Sequence, residues 1–93
     1  MPQVKVVIPP ILADKTNGKM EHIVFASTLG NAIEELIRKY GDNFKSLILD
    51  ESGKPSRILN FLINGKNAKF LSDMETQLND GDEISIFYNI GGG

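Results

Sequence analysis

The stretch from Ser27 to Gly41, STLGNAIEELIRKYG, limits what this chain can become more than any other part of it. Leu29, Ala32, Ile33, Leu36, Ile37 and Tyr40 recur at helical spacing, and Glu34, Glu35, Arg38 and Lys39 fill the opposite face. Thr28 is the N-cap, since its side-chain oxygen can accept a bond from a free amide of the first turn, and Gly41 is the stop. A helix that is apolar on one side only must lie on something. The rest of the chain offers short alternating runs, so that something is a sheet.

Residues 3–8, QVKVVI, put Val4, Val6 and Ile8 on one face, and Pro9-Pro10 closes the run. After the Asn17-Gly18 turn signal, MEHIVFA sets Ile23 and Phe25 opposite Met20, His22 and Val24. These two strands read as an amino-terminal hairpin with a long connection. Beyond the helix, Leu47 to Leu49 is expected as a short strand and Glu51 to Pro55 as an exposed loop. ILNFLI, residues 58–63, is apolar on both faces, as a central strand would be, and runs into Asn64-Gly65, a strong hairpin signal. Lys69-Phe70-Leu71 is expected to return as a short strand. Asp80-Gly81-Asp82 turns the chain into EISIFYNI, where Ile84, Ile86 and Tyr88 alternate with Glu83, Ser85 and Phe87. The order predicts an α+β sheet with one helix packed across one face.

Several function classes lack the residues they need. The chain has no cysteine, which removes thiol nucleophiles, thiolate metal sites and disulfides. His22 is the only histidine, and no triad can be assembled around it, so a structural role is the expectation. Asp50-Glu51 and the Asp80 to Glu83 cluster lack calcium-loop spacing and read as turn chemistry. Gly30 stands inside the helix start, and no nucleotide-binding glycine motif occurs. A formal net charge of -2 with scattered Lys and Arg speaks against nucleic acid. The apolar run at the amino terminus is short and broken by prolines, so neither a signal peptide nor a membrane span is expected, and a cytoplasmic protein is.

The chain ends in three glycines, Gly91-Gly92-Gly93, which a stated position acquires by chance about three times in ten thousand at average glycine usage. A cloning remnant would bring a serine or a tag, and none is present. A working tail has a physical reason to be glycine. A terminal carboxylate acylates nothing until it is activated, for example as a mixed anhydride with AMP. To react it must thread into another protein's ATP site, where side chains would block the approach. The expected organisation is a compact domain over residues 1–90 and a glycine tail over 91–93.

These features resemble the ubiquitin-like β-grasp sulfur carriers, a family that includes the small subunit of molybdopterin synthase, the thiamine-pathway carrier and a cysteine-pathway carrier. VVIPPIL resembles the family's first strand, STLGNAIEELIRKYG its helix and LILDESGKPSRILNFLINGKNAKFL its middle section. TQLNDGDEISIFYNIGGG resembles its "TxLxDGDxhxhhPxhAGG" ending, where h is apolar, and this is the most specific match. Gly92-Gly93 then takes the place of the family's diglycine. Tyr88-Asn89 stands where relatives often carry a proline that would stiffen the arm.

The resemblance implies a β-grasp fold with a mixed sheet, and a carrier rather than an enzyme. A ubiquitin-activating-type enzyme would adenylate the Gly93 carboxylate with ATP and magnesium, neither of them resident on this chain. A sulfur donor would then make the thiocarboxylate, and a client would take the sulfur: the molybdopterin synthase large subunit or a pyridoxal-phosphate cysteine synthase. Gly91 and Gly92 would allow threading, and Ile90 with Phe87 or Tyr88 would dock beside the channel. Two other readings stand beside it: a ubiquitin-like modifier joined to lysines through Gly93, and a binding module with an inert tail.

Overall fold

Alternation in QVKVV and EHIVF gives two strands with one face each turned inward. In the computed structural model, which describes residues 1–88, these are β1 (Gln3–Val7) and β2 (Glu21–Phe25), paired antiparallel with Val6 opposite His22. Their connection contains a 3-10 segment, Pro10–Thr16, ended by Asn17 at φ 57° and Gly18 at φ 81°. Helix α1 (Leu29–Tyr40) follows, with the Thr28 hydroxyl accepting from the Asn31 amide at 3.1 Å and Gly41 at φ 84° ending it. Leu29, Ala32, Ile33 and Leu36 are buried, so the apolar stripe is core, as expected. Gly30 permits a close approach: a Cβ there would lie 3.1 Å from the carbonyl oxygen of Met74.

Two expected strands are overturned. Residues 47–49 do not form one, because Asp42–Ile48 is a second helix, α2, with Gly41 as its N-cap residue. Phe44 and Ile48 recur at helical spacing and are both fully buried, which drives the segment helical. Lys69 to Leu71 is also not a strand. The return strand is the earlier and shorter β4 (Lys66–Asn67), and Ala68–Phe70 is a 3-10 turn whose Lys69 amide donates to Asn67 Oδ1 at 2.9 Å. That side-chain bond competes with the ladder and ends it.

The loop after α2 is organised by Asp50, whose Oδ1 accepts from the Ser52 hydroxyl at 2.6 Å and from the Ser52 and Lys54 amides. The Ser52 hydroxyl bond, then the Lys54 amide, holds the Asp50 carboxyl below its ordinary pKa. The apolar run then forms β3 (Leu59–Ile63), and Asn64 and Gly65, at φ 51° and 86°, turn it into β4. The final strand, β5 (Glu83–Tyr88), inserts between β1 and β3, parallel to the former and antiparallel to the latter. Strand order is therefore β2-β1-β5-β3-β4: β3 is an interior strand buried on both faces, as expected of the 58–63 run, and β5 holds the middle place. Val4, Val6, Ile84, Ile86 and Phe61 turn toward α1 and α2 and bury there with Leu36, Phe44 and Ile48. The expected α+β architecture is the one observed.

Candidate functional site

The strand that leads into the glycine tail is paired on both sides, with β1 and with β3. It starts at the Asp80–Asp82 turn, where Gly81 takes φ 89° and the flanking carboxylates serve backbone amides. Asp80 Oδ1 accepts from the Gln3 amide at 2.9 Å, and Asp82 Oδ2 accepts from the Asn79 amide at 2.8 Å. The Asn64 side chain bridges the two turns, donating through Nδ2 to Asp82 Oδ1 at 2.8 Å and accepting from the Glu83 amide at 3.0 Å. These acidic residues are turn chemistry. Among the described residues, no group of three or more His, Asp or Glu side chains converges on a metal-sized site.

From there β5 pairs with β3 as far as Tyr88, which lies opposite Leu59, while Phe87 lies opposite Asn60. Alternation sends the two aromatics to opposite faces. Tyr88 is half-buried against the core, and Phe87 is 38% exposed on the outer face, away from the helices. A partner that meets the outer face therefore touches Phe87 and not Tyr88. Gly91, Gly92, Gly93 and Ile90, and with them the expected boundary between a 1–90 domain and a 91–93 tail, lie outside the described residues. Ile58, 54% exposed just before the start of β3, stands at the same end of the sheet as Tyr88. The sequence did not single it out, because only the β3–β5 register places it there.

The outer face carries charge at its centre and apolar groups around it. Lys5 Nζ stands 3.9 Å from Glu21 and 3.8 Å from Glu83, with Ile23, Phe25 and Phe87 exposed on the same side. A groove of about 660 Å³ between residues 54–61 and 67–75 contains none of the expected site residues.

His22 is structural, as expected. Only 2% exposed, it donates through Nε2 to the Lys19 carbonyl at 2.9 Å, so Nδ1 accepts from the Tyr40 hydroxyl at 3.2 Å. Burial lowers its pKa, the Lys19 carbonyl bond opposes that, and the charges of Lys19 and Lys39 reinforce it. The ring ties β2 to the end of α1, meeting Tyr40 edge to face at 5.4 Å.

A mixed five-stranded sheet in this order, with its main helix across one face, is the ubiquitin-like β-grasp fold. Within that class the family is specific: the model of the ThiS family matches residues 15–93, and the chain belongs to it. The sulfur carrier protein CysO of Mycobacterium tuberculosis is 32% identical over 91 residues, covering 97% of this chain and 98% of that protein. Its crystal structure superposes with a TM-score of 0.84 at 31% identity, over 94% of this chain and 99% of CysO. The small archaeal modifier protein 1 of Methanosarcina acetivorans gives 0.84 at 31% identity, over 100% and 98% of the two chains. The Amycolatopsis orientalis BexX/CysO complex gives 0.82 at 27% identity, over 97% and 99%. No helix among the described residues is long and apolar enough to cross a membrane.

Proposed function

We propose that this chain is a sulfur carrier, worked on by other enzymes at the Gly93 carboxylate. The observation that carries the reading is the family match, which runs through to Gly93 and so includes the glycine tail. In the proposed cycle, a cytoplasmic activating enzyme joins the Gly93 carboxylate to AMP and releases pyrophosphate from ATP. A sulfide equivalent then attacks the acyl carbon, AMP departs, and Gly93 ends as a thiocarboxylate. Gly92 and Gly91 let the end thread, Phe87 and Ile90 meet the rim of the partner's channel, and the acids and bases come from partners. The relative crystallised as the BexX/CysO complex supports a client enzyme as the second partner. Molybdopterin synthase or a pyridoxal-phosphate cysteine synthase is the client class we propose.

A second reading rests on the likeness to small archaeal modifier protein 1, whose name makes it a modifier. The same activated Gly93 would then be passed to lysine amines. Pyrophosphate exchange catalysed by the cognate activating enzyme tests what both readings share. It should require this chain and disappear both on deleting Gly93 and on adding one alanine after it. Exchange that survives both changes would remove Gly93 from the chemistry.

A further inference from the structure

Strand β2 closes one side of the sheet, and its outer edge is open: it pairs with β1 and with no other strand among those described. The ladder shows which backbone groups face outward. The Ile8 amide bonds the Met20 carbonyl and the Ala26 amide bonds the Pro2 carbonyl, each at 2.9 Å. Hydrogen-bonded pairs alternate in an antiparallel ladder, so His22 and Val24 also turn their amides and carbonyls toward β1. Glu21, Ile23 and Phe25 therefore turn theirs to the open side. Edge strands are commonly blunted by lysine, proline or a bulge. Here the edge instead carries Ile23 and Phe25, 56% and 57% exposed.

A shallow groove of about 410 Å³ runs between this edge and the last turns of α1, with Val24 at its base and Glu35, Arg38 and Lys39 along its wall. Glu35 is engaged by Arg38 at 2.9 Å, and the charges of Arg38 and Lys39 against the single charge of Glu35 leave the wall net positive. The geometry points to a strand-addition site: an extended segment of a partner protein, apolar at alternate positions and acidic at its flank, pairs with Glu21–Phe25 and lays its acidic residues beside Arg38 and Lys39. Main-chain bonds supply the affinity in such docking, and the flanking charges supply selectivity. A second copy of this chain fits less well. Two-fold pairing of β2 with β2 would bring Arg38 and Lys39 of both copies to one groove, like charge against like. Docking at this edge does not depend on what Gly93 carries.

The test is an NMR titration of the ¹⁵N-labelled full chain with a blocked synthetic peptide, Val-Ile-Val-Ile followed by three Asp, and with its counterpart ending in three Lys. The Asp peptide should shift the Glu21, Ile23 and Phe25 amides and slow hydrogen exchange at all three. The Lys peptide should bind roughly fivefold more weakly, the scale of two exposed ion pairs. The double variant Arg38→Glu, Lys39→Glu should reverse the preference; both side chains lie on the solvent face of α1, so its fold should survive. Ile23→Pro should remove binding by deleting an edge donor that β1 does not use, and if it fails to fold, the charge-reversed variant decides alone. Equal binding of both peptides, or no slowing of exchange at millimolar peptide, overturns the proposal. Slowing that follows protein concentration without peptide also overturns it, in favour of a second copy.

Discussion

Asn64 stands where the β3–β4 turn meets the turn that launches β5, and replacing it measures how firmly that junction is held. Its φ of 51° is left-handed, a region that costs alanine about 1 kcal/mol or more and asparagine less. Its side chain makes two hydrogen bonds, to Asp82 and from the Glu83 amide, each worth about 0.5 kcal/mol at an exposed site. Asn64→Ala should therefore cost about 2 kcal/mol, or roughly 8–16 °C in Tm for a domain of this size. Asn64→Gly loses the same bonds but keeps the conformation, and should cost about half as much. Urea unfolding followed by circular dichroism measures both. A double-mutant cycle with Asp82→Ala should return a coupling of about 0.5 kcal/mol or more. If glycine costs as much as alanine, or the coupling is zero, the bridge between the turns is not what holds the junction.

Further outcomes follow from His22 and from the two aromatics at the end of β5. His22 has its native pKa lowered below the ordinary 6.5, so the unfolded chain binds the proton more readily. Stability from this group is complete above that value and is lost as pH falls below it; Tm should drop from pH 7.5 to 5.5, and His22→Gln should flatten that stretch of the profile. The Asp50 carboxyl, lowered from 3.8, titrates well below this window and does not confuse it. Tyr88→Ala should lower Tm by removing a side chain packed on the core, whereas Phe87→Ala should leave Tm within a few degrees and raise the KM of the activating enzyme for this chain.

Most of the fold was legible because its signals are local. The α1 stripe, the Thr28 cap, Asn64-Gly65 and Asp80-Gly81-Asp82 each act within a few residues, and each appears where the sequence placed it. The two misses have different causes. Three or four apolar residues in a row, as at Leu47 to Leu49, suit a strand or a helix equally, and Phe44, three positions upstream, decided for α2. At residues 66–71 the deciding contact was the Asn67 side chain bonding the Lys69 amide, which no apolar pattern reports. Strand order was beyond periodicity altogether, since only pairing shows that β5 holds the middle. For the candidate site, alternation separated Phe87 from Tyr88, but exposure of Phe87 at the end of a central strand needed the register with β3. The open edge of β2 was invisible for the same reason.

One carboxylate, that of Gly93, carries the proposed sulfur. The measurement that reaches it most directly is intact-mass spectrometry of the native protein, before and after a thiocarboxylate-selective alkylating reagent, with fragment mapping. Alkylation matters because replacing oxygen by sulfur adds nearly the mass of a methionine sulfoxide, and Met1, Met20 and Met74 can each form one. An alkylated adduct should map to Gly93. A chain that stays unalkylated after incubation with the cognate activating enzyme, ATP and a competent sulfur source would contradict the carrier, and Gly-Gly remnants on lysines of other proteins would then identify a modifier.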